Sequence, residues 1–201
     1  MEGAGLALLP AGPLEGDLGI QNQGHIFVGS KAPWYTISDS LPQHVEYPPE
    51  YAIPGQQRPT VEARPGITEG SCLCGAVAYE VEGEPLFMQS CHCTRCRRGR
   101  SAAHGTNIFF KADQFRFVRG QDLIAEFKVP EARFYTVAFC VQCGSPTPKV
   151  SVERGIAVIP AGSLDTDPGM RPQRHIFTAY KASWFEITDS IQQFSEGPPP
   201  Q

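Results

Sequence analysis

Along most of the chain, apolar residues alternate with polar ones instead of recurring every three or four positions. In "DLIAEFKV", Leu123, Ala125, Phe127 and Val129 fall on one face, with Glu126 and Lys128 opposite. The stretches "AVAYEVEG", "QFRFVRG" and "RFYTVAFC" read the same way. A period of two belongs to a strand with one covered face, and the Gly, Pro and Asp residues between these stretches supply turns. "HIF" at His175 reads as a further short strand. Long helical periods are missing, and 20 glycines and 19 prolines in 201 residues suit short elements joined by tight connections. The pattern predicts a mainly β domain.

A second pattern lies at longer range. "HIFVGSKAPWYTISDS" begins at His25, and "HIFTAYKASWFEITDS" begins at His175. Without a gap, residues 5–49 and 155–199 agree at roughly half their positions, and the spacing is that of whole domains rather than solenoid units. His25, Lys31, Trp34 and Asp39 correspond to His175, Lys181, Trp184 and Asp189. Residues 1–50 therefore read as a truncated partial repeat of the C-terminal part of a domain, the tail of a copy whose body would precede Met1. The Pro-rich stretch 51–65 reads as a semi-rigid linker, and residues 66–199 as the domain itself. The first copy is expected to pack weakly on the outside of that domain or to mediate a homodimer. No metal ligand or catalytic group is expected from it.

A net charge of −4 argues against a general nucleic-acid or anionic-membrane surface. No apolar run approaches the roughly 20 residues of a membrane span. "LALLPAG" makes a poor signal peptide, with Glu2 before it and no flanking Lys or Arg. The expectation is a soluble cytoplasmic protein without nucleic-acid or membrane partners.

All seven cysteines fall in three clusters: "SCLCG" (Cys72, Cys74), "CHCTRC" (Cys91, Cys93, Cys96) and "CVQCG" (Cys140, Cys143). C-x-C and C-x-x-C spacings let a turn aim both sulfurs at one ion, and the glycines after Cys74 and Cys143 suit that turn. Cys72, Cys74, Cys140 and Cys143 would close a structural four-cysteine zinc site. Cys91, Cys93 and Cys96 could grip a second zinc from one side and leave a fourth position open, as catalytic zinc is built. The plainer alternative is one four-cysteine zinc with free or redox-active thiols in the middle cluster. His92, between two of these ligands, is expected to point away and hydrogen-bond behind the site. "TRCRRGR" sets Arg95, Arg97, Arg98 and Arg100 beside the middle cluster, where they could offset thiolate charge or clamp a carboxylate. The bland reading is a solvated basic turn.

These motifs, with "GSCLCGAVAYEV", "CHCTRCRR", "FCVQCGSP", "IPAGSLD" and the "HIF…KA.W" tail, resemble the glutathione-dependent formaldehyde-activating enzyme family, which includes centromere protein V-like proteins. The likeness runs through residues 66–199; residues 1–50 match only the tail. It implies a β-tent-like fold with two zinc ions per chain, one structural and one catalytic on the two cysteine sets above. It also implies a zinc-dependent carbon–sulfur lyase that handles a thiol–aldehyde adduct such as S-hydroxymethylglutathione, with a glutathione-like thiol as substrate. The expected chemistry is a zinc-activated thiolate attacking formaldehyde, with help from Arg or His because three thiolates leave zinc a weak Lewis acid. Candidates for that help, or for holding substrate, are Arg95, Arg97, Arg98, His104, His175, Lys181 and Trp184. His175 and Trp184 are as readily structural. The tail here reads "AYKASW" where the first copy keeps the family's commoner "GSKAPW". Two other readings stay open: an enzyme of this fold acting on another small electrophile, and a non-enzymatic zinc module that binds a protein.

Overall fold

The computed structural model describes residues 5, 7–48, 61–133 and 135–199. The 51–65 linker falls largely outside them. In chain order the strands are β1 (Ile67–Ser71), β2 (Ala78–Glu82), β3 (Phe87–Cys91), β4 (Gly105–Lys111), β5 (Phe115–Arg119), β6 (Ile124–Lys128), β7 (Thr136–Cys140), β8 (Lys149–Ser151), β9 (Ile156–Pro160), β10 (Arg174–Ile176) and β11 (Gln192–Gln193). A single α-helix among the described residues, α1 (Thr94–Arg100), follows β3.

The strands form a three-stranded sheet, β1-β2-β5, a six-stranded sheet, β11-β10-β3-β4-β9-β8, and a β6-β7 ribbon. No closed barrel forms among the described residues. Alternation builds the core. Tyr79 and Val81 of β2 meet Met88 of β3, Ile108 and Phe110 of β4, and Ala157 and Ile159 of β9, all at most 1% exposed. Burying such side chains contributes about 1.5–3 kcal/mol each, which holds the two larger sheets face to face.

The sequence pattern locates β2, β5, β6, β7 and β10 correctly. On β6, however, the alternating face is only partly covered, and Phe127 stays 57% exposed. The ribbon has a single partner strand, so its apolar face packs mainly at the end nearest the cysteines, where Leu123 and Ile124 join Cys72, Val77 and Cys140. No helix among the described residues is long and apolar enough to cross a membrane.

The two similar tail stretches adopt the same local structure. His44 N–H donates to His25 O at 2.8 Å, and Phe194 N–H to His175 O at 2.9 Å. Phe27 and Phe177 both sit in the left-handed region, at φ 58° and 57°. Lys31 and Lys181 each donate to a carbonyl four residues on, at Tyr35 and Phe185.

Weak outside packing is not what residues 5–48 show. Trp34 is only 9% exposed and joins the main core cluster with Tyr79, Met88 and Phe110. Gly12 lies so close to the backbone of Ser101 and Ala102 that a Cβ there would overlap it. The equivalent residues Ser38 and Thr188 hydrogen-bond to each other at 2.7 Å through their hydroxyls. An indole is a large apolar surface, and its burial in the main core outweighs any gain from staying at the rim.

Candidate functional site

Two cysteine groups form, with the membership the spacing predicts. In each, the ligand sulfurs all lie within 4.8 Å of one another. Cys72 and Cys74 occupy the turn after β1, while Cys140 ends β7 and Cys143 follows it. Gly75 and Gly144, at φ 76° and 70°, make the two turns possible. Gly75 N–H donates to Cys72 O, and Gly144 N–H to Cys140 O.

The Cys72 and Cys74 sulfurs lie 3.5 Å apart, and those of Cys74 and Cys140 lie 4.0 Å apart. Four sulfurs about 2.3 Å from a tetrahedral centre would be ~3.8 Å apart, so the set fits a metal of zinc's size. Burial opposes ionisation of Cys72, but hydrogen bonds from Val77 N–H, Cys74 and Cys140 more than offset it. Cys143 is likewise drawn down to about 6 against burial, by the N–H groups of Ser145 and Cys74.

The second group is local. Cys91 ends β3, Cys93 caps α1, and Cys96 lies in its first turn, its N–H donating to Cys93 Sγ at 3.4 Å. Hydrogen bonds from Cys91 and Cys96 hold the Cys93 thiol well below its usual range. Sharing with Cys93 pushes Cys91 up, and sharing with both neighbours pushes Cys96 up. Thiols this crowded can ionise together only beside a cation, so this set also fits a metal.

In front of these sulfurs opens a cavity of about 640 Å³, whose walls include Arg95, Asn107, Arg133, Tyr135, Phe177 and Tyr180. Tyr135 donates to Arg95 O at 2.7 Å. Its hydroxyl pKa is pushed up to about 12 by burial and the neighbouring Cys96.

Behind the sulfurs lies a histidine layer. His92, fully buried, contacts His175 (Nε2 to Nδ1, 2.9 Å), and His175 Nε2 reaches both oxygens of Asp189 at 3.1 Å. His92 thus turns away from the sulfurs, as expected. The His104 ring lies tilted beside His92, with centroids 5.1 Å apart, and meets the Thr106 hydroxyl at 3.1 Å. Burial holds His92 down to about 3 and His104 down to about 4, so both rings are neutral at pH 7.

A model of the glutathione-dependent formaldehyde-activating enzyme family matches residues 67–180, more than half of the chain. The chain belongs to this family. A crystal structure of a Rhodobacter sphaeroides protein is similar at 25% identity, covering 52% of this chain and 97% of that one, with a TM-score of 0.39. No curated protein matches.

Of the side chains that sequence places near the family's cysteine motif, the structure brings Arg95 to the cavity wall. Arg97 and Arg98 turn to the N-terminal segment instead. Arg97, 4% exposed, donates to Gly12 O at 3.1 Å, and Arg98 pairs with Glu15 at 2.8 Å. Lys181 donates to Phe185 O at 2.6 Å. Trp184 is buried and packs beside Phe185. Sequence reasoning did not single out Arg133 and Tyr135, and it named Asp189 only as a matching position of the repeat. Tyr135 stands in the quoted strand "RFYTVAFC", and Asp189 has its counterpart in Asp39, which pairs with His25 at 2.9 Å.

Proposed function

We propose that this chain is a zinc-dependent carbon–sulfur lyase-type enzyme acting on a glutathione–aldehyde adduct such as S-hydroxymethylglutathione. The observation that supports the reading is a three-cysteine group facing a 640 Å³ cavity in a chain of this family. Cys91, Cys93 and Cys96 would hold one zinc and Cys72, Cys74, Cys140 and Cys143 a second. The first would supply positive charge that keeps a substrate thiol ionised at neutral pH.

The protein's own side chains orient the reactants. Arg95 and Arg133 offer guanidinium groups to the carboxylates of a peptide thiol, and Ile176 and Phe177 give the cavity an apolar side. In the forward sense a sulfur–carbon bond forms to the aldehyde carbon. The carbonyl π pair moves to oxygen, which gains the proton that the thiol gave up. Cleavage runs the same steps backwards. Seven cysteines without a disulfide suit a reducing compartment such as the cytoplasm.

We read residues 1–50 as a duplicated piece of the tail and residue 66 as the start of the catalytic domain. The shared hydrogen bonds and left-handed phenylalanines support this reading.

The test is carbon-13 formaldehyde exchanged with glutathione on zinc-loaded protein, followed by NMR. Acceleration over the uncatalysed exchange is expected; its absence sinks the reading. Arg95→Gln is expected to raise KM for glutathione about ten-fold while leaving KM for a thiol without carboxylates unchanged. Equal effects on both thiols would remove Arg95 from substrate binding.

A further inference from the structure

The two tail stretches meet each other at equivalent positions. Ser38 and Thr188, whose hydroxyls hydrogen-bond at 2.7 Å, are the same position of the repeat, 150 residues apart. One crevice between the stretches is lined by Trp34, Tyr35 and Ser38 together with Arg171, Pro172 and Ile191. Another is lined by Trp184, Phe185 and Thr188 together with Gln21, Asn22 and Leu41. Each residue of the first set has its repeat counterpart in the second, with the two copies exchanged. Reciprocal contacts about a position that meets its own equivalent mark a twofold, isologous interface.

Away from that axis the symmetry is broken, because among the described residues only the C-terminal copy carries a domain body. Ile176 pairs with Cys91 of β3 and is 6% exposed, whereas its counterpart Ile26 is 50% exposed. Trp34 enters the main core, while the equally buried Trp184 stays outside it and lines cavities beside the segment. Gly12 is pressed against Ser101 and Ala102 at the end of α1, yet a Cβ at its counterpart Gly162 would meet nothing within 4 Å. Arg97 and Arg98 of α1 hold Gly12 O and Glu15, and the counterpart of Glu15 is another acid, Asp165. Completing the symmetry takes a second domain, with its α1 against Gly162 and its core around Trp184.

We propose that the end of α1 and the core mouth filled by Trp34 form a docking surface for the tail of a second copy of this chain. Residues 5–48 occupy that surface as a tethered substitute and hold the chain monomeric. When they leave, two copies pair about Thr188, each giving its Trp184 to the core of the other. The tail offers what the surface takes: an indole for the core, a glycine for the close approach to α1, and an acid for Arg98. The inference rests on reading residues 1–50 as a copy of the tail and is independent of the proposed reaction.

Sedimentation of the full zinc-loaded chain is expected to give a 22.0 kDa monomer. Gly12→Leu, which pushes the segment off α1, is expected to give a dimer of twice that mass. With Thr188→Cys added, a short bis-maleimide should cross-link those dimers across the axis; Thr188→Cys alone should stay uncross-linked. Adding Gly162→Leu to Gly12→Leu should restore the monomer, because the tail then no longer fits against α1. Trp34→Ser empties the core mouth, and its melting temperature should rise with protein concentration as the partner's Trp184 refills the space. A dimeric unmodified chain would overturn the proposal, as would a dimer that fails to cross-link at position 188 or survives Gly162→Leu. A monomer in both Gly12→Leu and Trp34→Ser, or a Trp34→Ser melting temperature independent of concentration, would overturn it too. Each of those results would leave the repeat standing, since it rests on the sequence and the shared hydrogen bonds.

Discussion

The two cysteine groups use the same ligand atom and similar spacings, yet they differ in what they join. The four-cysteine group ties the turn after β1 to the end of β7, with Cys74 and Cys140 66 residues apart in sequence. The three-cysteine group draws on residues 91–96 alone. The first has four sulfurs to surround an ion and small apolar neighbours around it. The second has three sulfurs, a cavity in front and a histidine layer behind. Sequence separation, rather than ligand chemistry, marks which group can staple the fold and which can leave a face open.

That contrast can be broken most directly at Cys143. Cys143→Ser is expected to prevent stable folding, because losing a metal that joins distant segments removes on the order of 10 kcal/mol. Near-ultraviolet circular dichroism with zinc analysis checks it, and a well-folded variant would show that the group is no staple. Cys93→Ser is expected to do less to the fold. It should unfold cooperatively, carry one zinc fewer than the unmodified chain, and lose adduct exchange entirely. If it fails to fold, the local group is also structural and the contrast collapses.

The smallest effect sharpens the histidine side of the contrast. Burial first, and then His175, hold His104 down to about 4. The unfolded chain takes up that proton nearer pH 6.5, so this contribution to stability is complete above about 6.5 and falls as pH drops towards 4. The slope is at most about 1.4 kcal/mol per pH unit. Denaturant unfolding of zinc-loaded protein between about pH 5 and 7 should show a flatter dependence in His104→Gln. Parallel curves would mean that this ring does not titrate with folding.

Much of this was legible in the sequence. Alternation in "AVAYEVEG" and "QFRFVRG" marked β2 and β5, and cysteine spacing sorted all seven cysteines into their two groups. The central strands β3 and β4 left a fainter trace. Strand β4 lies between β3 and β9, and "GTNIFFK" carries apolar residues on both faces, so it lacks clean alternation.

The arginines show a different limit. Arg95, Arg97 and Arg98 are neighbours in sequence, but α1 turns about 100° per residue, which leaves Arg95 at the cysteine cavity and carries Arg97 and Arg98 to the N-terminal segment. Trp34 was the hardest. Its place in the core depends on how the N-terminal segment docks, which no local pattern encodes.

The position of β10 has a consequence for how the molecule is made. It pairs in parallel with β3, so the six-stranded sheet places residues 174–176 beside residues 90 and 91. Chain emerges from the ribosome at about 5–20 residues per second, so β3 waits several seconds for the neighbour on its open side. During that wait β3 and β4 present an unpaired backbone edge, and Trp34 has emerged before any of the core residues it packs against. Pairings across such separations form slowly. The growing chain is therefore most open to aggregation just before β10 and β11 are in place, and slow translation through residues 111–173 would lengthen that exposure.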